Sequence, residues 1–87
     1  MAAHHRYRFV GDSFKPFKKL LDRVCWLSCY FNTPFQHYYD DHGQVIFEIE
    51  VFHLITAEQV VNLLRRHQSS LRLKKVAKQY YRFDFMD

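Results

Sequence analysis

"QVIFEIEVFHLITAEQVVNLL", residues 44–64, decides the fold because the spacing of its apolar residues changes halfway along. In the first half every second residue is apolar, which predicts a strand with one buried face and an acidic outer face. From Thr56 onward the apolar residues follow helical spacing. Thr56 and Gln59 match a capping box, so we predict that a helix begins there and continues to His67.

The segment before this strand predicts a hairpin. Residues 35–39, "FQHYY", form the expected partner strand, and residues 40–43, "DDHG", form the expected loop. Aspartate favours the start of a turn, and Gly43 adopts a positive φ at low cost. We therefore interpret the cluster of Asp and His side chains in this segment as a turn.

Two chemical alternatives involve this segment. Cys25, Cys29, His37 and His42 are of zinc-ligand types, but both cysteines fall within a predicted helix and His42 falls at the tip of the hairpin. The adjacent aspartates suggest acid/base chemistry, but neighbouring carboxylates on a turn point in different directions, and no phosphate loop or catalytic triad accompanies them. We predict no metal site, no cofactor and no catalytic site.

The first strand predicts the character of the open sheet face. Residues 5–10, "HRYRFV", alternate so that Arg6 and Arg8 face outward, where they would oppose Glu48 and Glu50 of a neighbouring strand. Carboxylates at these positions repel phosphate and disfavour the base stacking used by RNA-recognition sheets. The surface that remains for base stacking is small and consists of Tyr38, Tyr80 and Arg82.

A helix follows the first strand. Asp12 or Ser13 caps it, and apolar residues recur at helical spacing as far as about Tyr30. Basic side chains occupy its other faces, so we expect an amphipathic helix with a basic outer surface.

The C-terminal third leaves alternatives open. Residues 69–79 admit a strand or a further helical turn, whereas residues 80–85, "YYRFDF", alternate and predict a strand. The order strand–helix–strand–strand–helix–strand predicts a ferredoxin-like α+β sandwich, an antiparallel sheet with two helices on one face, for residues 1–87 as a single domain. If residues 71–76, "LRLKKV", already form the fourth strand, the last strand extends the sheet or pairs with a second subunit.

The order of these elements is similar to that of ACT domains, which are small ligand-sensing domains. The resemblance rests on topology alone. It implies that a small ligand binds at a subunit interface, near the turn after the first strand, "VGDSFKP" at residues 10–16.

Composition favours a cytoplasmic protein without a membrane segment. No apolar run approaches the ~20 residues that span a bilayer, and residues 1–9, "MAAHHRYRF", are too polar for a secretory signal. Two cysteines in 87 residues do not make a disulfide framework, so we expect reduced thiols.

The net charge of +4 is unevenly distributed along the chain. Residues 40–58 contain five acids and no Lys or Arg, whereas residues 59–83 contain seven bases and no acid. We predict a basic surface that contacts an acidic protein partner. Its expected members are Arg65, Arg66, Arg72, Lys74, Lys75 and Lys78, with Lys15, Lys18 and Lys19.

Two further expectations concern partners. The same bases, together with Arg23, would bind the phosphates of a nucleic acid without reading its sequence. Nine Phe, six Tyr and one Trp exceed what a core of this size needs, so we expect a homodimer and exposed apolar patches. These patches are expected on the aromatic C-terminal strand, at Phe31 and Phe35, and at Ile46 or Phe52. The prediction is a non-enzymatic adaptor or regulatory module that binds an acidic protein or its own second copy, with nucleic-acid binding and ACT-like ligand sensing as alternatives.

Overall fold

The computed structural model describes residues 4–27, 31–52 and 55–86. It has the predicted α+β composition, with two helices and five strands. In chain order these elements are β1 (His4–Gly11), α1 (Phe14–Leu27), β2 (Phe31–Tyr39), β3 (Val45–Phe52), α2 (Ala57–His67), β4 (Leu71–Ala77) and β5 (Tyr80–Phe85). In the described ranges, no helix is long and apolar enough to cross a membrane.

The five strands form one mixed sheet with the order β2-β3-β1-β5-β4. β3 pairs antiparallel with β1 on one side and with β2 on the other, as in a ferredoxin-like sheet. β5 lies between β1 and β4, parallel to β1 and antiparallel to β4. The predicted ferredoxin-like topology is therefore wrong, because the strand that follows the second helix does not pair with β1 and a fifth strand takes its place.

Residues 69–79, which the sequence left open, contain the strand β4 and the turn that leads to β5. In this turn Gln79 has a φ of 58°, and its carbonyl accepts a hydrogen bond of 2.9 Å from the Arg8 N–H of β1. Because residues 71–76 already form the fourth strand, the last strand is an additional one that extends the sheet, which was one of the two alternatives. It lies inside the sheet rather than at its edge.

The inner position of β5 follows from its apolar residues. Tyr81 and Phe83 of β5 are buried, whereas Lys74 and Lys75 of β4 are exposed. A strand with a strongly apolar inward face is best buried between two neighbours, and lysines on an edge strand discourage pairing with other chains. The more charged strand therefore forms the edge.

Both helices contribute to a single core on one face of the sheet, together with residues from all five strands. Phe17 of α1 lies near its centre. Its ring centroid is 4.0 Å from that of Phe83, 5.2 Å from that of Phe47 and 5.4 Å from that of Phe9. One aromatic residue of α1 thus contacts the three central strands of the sheet.

Several of the apolar side chains for which we expected exposed patches are buried. Phe31 is 5% exposed and Ile46 is 8% exposed, so the expectation is wrong for both, and Phe52 is half-buried. The side chain of Phe35 lies outside the described residues. Large apolar side chains that are exposed in the described chain are Tyr38, Tyr39, Val76 and Met86.

The predicted start of α2 is confirmed. The Thr56 hydroxyl accepts a hydrogen bond of 3.2 Å from the Gln59 N–H, and the Gln59 side-chain oxygen accepts one of 2.8 Å from the Thr56 N–H. Ile55 and Val60, on either side of the cap, are both buried. This capping box fixes where the chain turns from β3 into the helix.

Thr56→Ala is expected to lower the free energy of unfolding by about 1 kcal/mol, because it removes the hydroxyl that caps a free N–H of the helix. Urea denaturation followed by circular dichroism measures this loss. Asn62→Ala, at an exposed position of the same helix, is the control and should change stability by less than about 0.5 kcal/mol. Equal losses in the two variants would contradict the capping role.

The turn between β2 and β3 is as predicted, although β2 begins at Phe31 rather than at residue 35. The Asp40 carboxylate accepts hydrogen bonds of 2.9 Å from the N–H groups of His42 and Gln44, and Gly43 has a φ of 78°. Asp40 therefore stabilises its own turn.

Candidate binding surfaces

The structure divides the predicted basic surface between the two sides of the sheet. Alternation along β4 places Arg72 and Lys74 on the open face, whereas Lys75 faces the helix side, opposite the inward-facing Tyr81. The other predicted residues lie on α1, in the last turn of α2 and in the turn after β4: Lys15, Lys18, Lys19, Arg65, Arg66 and Lys78. The nine residues therefore do not share one face of the molecule.

On the open face, the predicted pairing of arginines with glutamates across β1 and β3 is confirmed. Arg6 lies opposite Glu50, and its guanidinium is 3.8 Å from the Glu50 carboxylate and 4.0 Å from that of Glu48. At the other end of the face, Arg72 lies 2.7 Å from Asp84. These three acids each have a basic partner, so their repulsion of a phosphate is partly cancelled.

Three bases of the open face form no ion pair within the described residues: Arg8, Lys74 and Arg82. The guanidinium of Arg8 lies 4.6 Å from the centroid of the Tyr80 ring, within the range of a cation–π contact. Lys74 and Arg82 are directly opposite each other on β4 and β5. Like charges in this position repel each other, so an anion bound between them would be stabilised.

Tyr38, the other ring of the predicted stacking surface, is 41% exposed but is held by a neighbour. Its hydroxyl donates a hydrogen bond of 2.9 Å to the Glu48 carboxylate. Partial burial and this hydrogen bond raise the pKa of the Tyr38 hydroxyl, and Arg8 opposes them with a smaller effect. Tyr38 and Tyr80 are thus both engaged by charged side chains of the protein itself.

The helix side carries the clearest concentration of positive charge. Lys15, Lys19 and Arg23 follow one another at intervals of four residues along α1 and line a groove of about 280 Å³. Its other lining residues are Pro16, Leu20 and Gln68, so no acid of the described residues lines it. Arg23, which was expected in the nucleic-acid alternative, lies on the same face of the helix as Lys19 because the two are four residues apart.

The remaining bases of the helix layer lie outside this groove. Lys18 forms an ion pair of 2.9 Å with Asp22, one turn further along α1. Arg65 and Arg66 are exposed in the last turn of α2 but do not line the groove. Arg23 donates a hydrogen bond of 3.3 Å to the His67 carbonyl, which joins α1 to the end of α2.

The residues weighed as zinc ligands are placed separately. The His37 ring packs 4.8 Å from the ring of Phe14, and His42 lies in the hairpin turn. Cys25 is half-buried, and burial, followed by the nearby Asp22 carboxylate, raises the pKa of its thiol to about 11. Cys29 lies outside the described residues. Within them, no group of three His, Cys, Asp or Glu side chains is placed to hold a metal ion.

Among the described residues, the basic groove and the open sheet face thus both contain basic side chains that form no ion pair. A ligand for either has to be identified from the chemistry of its side chains. Comparison of the chain with protein-family models, with curated proteins and with solved structures gives no match.

Proposed function

We propose that this domain is a non-enzymatic binding module that contacts an acidic protein partner through the basic groove, defined by Lys15, Pro16, Lys19, Leu20, Arg23 and Gln68. The observation that supports the proposal is the row of three bases on one face of α1 in a groove without an acid. An anionic segment is the complementary ligand, because opposite charges steer association and set the register of binding.

The spacing of the row suggests the form of the partner. Residues four apart on a helix have Cβ atoms about 5–6 Å apart, and every second side chain of an extended peptide is separated by about 7 Å. An extended segment with acids at alternate positions therefore matches Lys15, Lys19 and Arg23 in succession. Leu20, which is 3% exposed, and Pro16 add an apolar floor for the residues between the acids.

A second copy of the chain is the alternative acidic partner, and the homodimer stays a prediction. Asp40 and Glu48 are engaged by hydrogen bonds within the chain, which makes them poorer ligands for another copy. We therefore favour a different protein. Sedimentation velocity at several protein concentrations separates the two cases.

Nucleic-acid binding is a second candidate function, supported by a different surface. Arg82 and Lys74 oppose each other on the open face, and Arg8 lies over the Tyr80 ring beside them. Basic side chains next to an aromatic ring suit the phosphates and nucleobases of a single-stranded nucleic acid. This candidate uses the sheet, whereas the acidic partner uses α1, so variants of the two surfaces distinguish them.

The groove is tested with a labelled peptide that has glutamate at every second position. In fluorescence anisotropy, Lys15→Gln/Lys19→Gln should weaken binding about tenfold, because two exposed ion pairs are lost. Lys18→Gln is the matched control, since Lys18 is paired with Asp22 outside the groove, and it should change affinity less than twofold. Equal weakening by the control, or no binding of the peptide, would overturn the proposal.

The same assay is run with single-stranded RNA and with duplex DNA at about 50 and 200 mM salt, because phosphate contacts weaken steeply over this range. The proposal expects both nucleic acids to bind more weakly than the peptide. Tight, salt-sensitive binding that is lost in Lys74→Gln/Arg82→Gln and kept in Lys15→Gln/Lys19→Gln would establish the second candidate in place of the first.

A further inference from the structure

A pocket of about 380 Å³ lies where β1 begins, between the start of α2 and the turn that joins β4 to β5. This position is at the opposite end of β1 from the turn that the ACT resemblance implied. Its polar lining includes Tyr7 and Tyr81, Lys75 and Lys78, and His5, and it contains no acid from the part of the chain that the structure describes. The pocket shares no residue with the basic groove.

Two tyrosines form the inner wall of this pocket. Tyr7 is 2% exposed and Tyr81 is 7% exposed, and they lie on the neighbouring strands β1 and β5. Both side chains line the pocket, and in the described part of the chain neither hydroxyl is fully buried without a hydrogen-bond partner. Burial and the neighbouring Tyr7 raise the pKa of the Tyr81 hydroxyl, which keeps it a hydrogen-bond donor.

The other wall is positively charged. Lys75 and Lys78 are exposed at the rim and form no ion pair within the described residues. The start of α2 also lines the pocket, with Thr56 and Ala57. The capping box occupies the N–H groups of Thr56 and Gln59, and the helix dipole adds positive potential at this end.

We propose that this pocket binds a small organic anion, that is, a phosphate or carboxylate group on a small apolar body. Lys75 and Lys78 would neutralise the anionic group, and the hydroxyls of Tyr7 and Tyr81 would donate hydrogen bonds to its oxygens. Ile55 and the tyrosine rings provide the apolar contact. Ligand pockets of this kind combine apolar walls with a few convergent polar groups.

The test is a two-dimensional ¹H–¹⁵N NMR titration of the whole chain with phenyl phosphate, benzoate, inorganic phosphate and phenol, each up to about 10 mM. The proposal expects phenyl phosphate or benzoate to shift the amide signals of Ala57, Lys75, Lys78 and Tyr81. The stronger of the two identifies the anionic group. Phenol lacks the anionic group and inorganic phosphate lacks the apolar body, so each should bind at least fivefold more weakly.

Two charge-matched variants complete the test. Lys75→Gln/Lys78→Gln should weaken binding of the organic anion at least tenfold. Arg72→Gln/Lys74→Gln removes two charges from the other face of β4 and should change it less than twofold. Tyr81→Phe should weaken binding without altering the fold, because only the hydroxyl is lost.

Equal effects of the two double variants, shifts that phenol reproduces, or no shift at these four amides would each overturn the assignment. Shifts confined to Lys15, Lys19 and Gln68 would overturn it too, while they would support the basic groove as an anion-binding surface. The pocket assignment is therefore tested by one set of amide signals, and the basic groove of the proposed function is tested by another.

Discussion

Phe17→Ala is expected to lower the free energy of unfolding by about 3–5 kcal/mol, the usual loss for a buried phenylalanine. Phe17 is completely buried, and its ring contacts those of Phe9, Phe47 and Phe83 on the three central strands. Domains of 87 residues have a total stability of about 4–13 kcal/mol. We therefore expect the variant to be partly or wholly unfolded at 37 °C.

Circular dichroism during urea denaturation measures this effect. Phe17→Leu should lose less, about 1–2 kcal/mol, because most of the cavity is filled. Tyr39→Ala is the control for removing an aromatic ring from the surface, since Tyr39 is 60% exposed, and its loss should be below about 1 kcal/mol. If Phe17→Ala unfolds at the same urea concentration as the parent chain, α1 does not pack on the sheet as described.

Gly11→Ala is expected to cost about 2–3 kcal/mol, although it adds only a methyl group. A Cβ at Gly11 would lie 2.7 Å from the Phe83 ring carbon Cζ and 2.7 Å from the Phe83 carbonyl oxygen. The ring cannot retreat freely because it stacks on Phe17, and the carbonyl belongs to the backbone of β5. The methyl group therefore has to separate β1 from β5 or displace a core ring.

Gly43→Ala is the matched control. Nothing lies within 4 Å of its added Cβ, but its φ of 78° disfavours a side chain, so we expect a loss of about 1 kcal/mol. Gly11→Ala combined with Phe83→Leu separates the two contacts, because leucine removes the ring carbon and leaves the carbonyl. Double-mutant analysis then gives the share of each. A smaller loss at Gly11 than at Gly43 would contradict the close packing of β1 on β5.

The parts of the fold that depend on neighbouring residues could be predicted from the sequence. The capping box of Thr56 and Gln59 and the turn of Asp40 and Gly43 need only residues within a few positions of each other. The pairing of Arg6 with Glu50 was predicted across a longer distance, because the alternation of each strand fixes which side chains face outward.

The order of the strands could not be predicted in the same way. β4 and β5 both alternate, and no local signal states which of them pairs with β1. The two strands differ in how apolar their residues are: β5 buries Tyr81 and Phe83, whereas β4 exposes Lys74 and Lys75. A comparison of the inward residues of the two strands would have favoured β5 for the inner position.

The candidate sites show a similar division. The sequence identified the basic residues, but alternation along a strand places neighbouring residues on opposite faces of the sheet. Arg72 and Lys74 lie on one face, and Lys75 lies on the other. Only the helical row of Lys15, Lys19 and Arg23 kept its charges together. The pocket of Tyr7 and Tyr81 joins strands far apart in the chain, so no local pattern predicts it.

The parallel pairing of β1 with β5 has a consequence for synthesis on the ribosome. Arg8 pairs with Tyr80, so β1 obtains its second neighbour only after about seventy further residues have been made. Until then β1, α1, β2 and β3 can assemble, but one side of β1 keeps its backbone N–H and C=O groups unpaired. A nascent chain with such an edge can pair with another nascent chain on the same messenger RNA, or it can be bound by a chaperone. The strand that completes the sheet therefore also ends the period in which the chain is prone to aggregate.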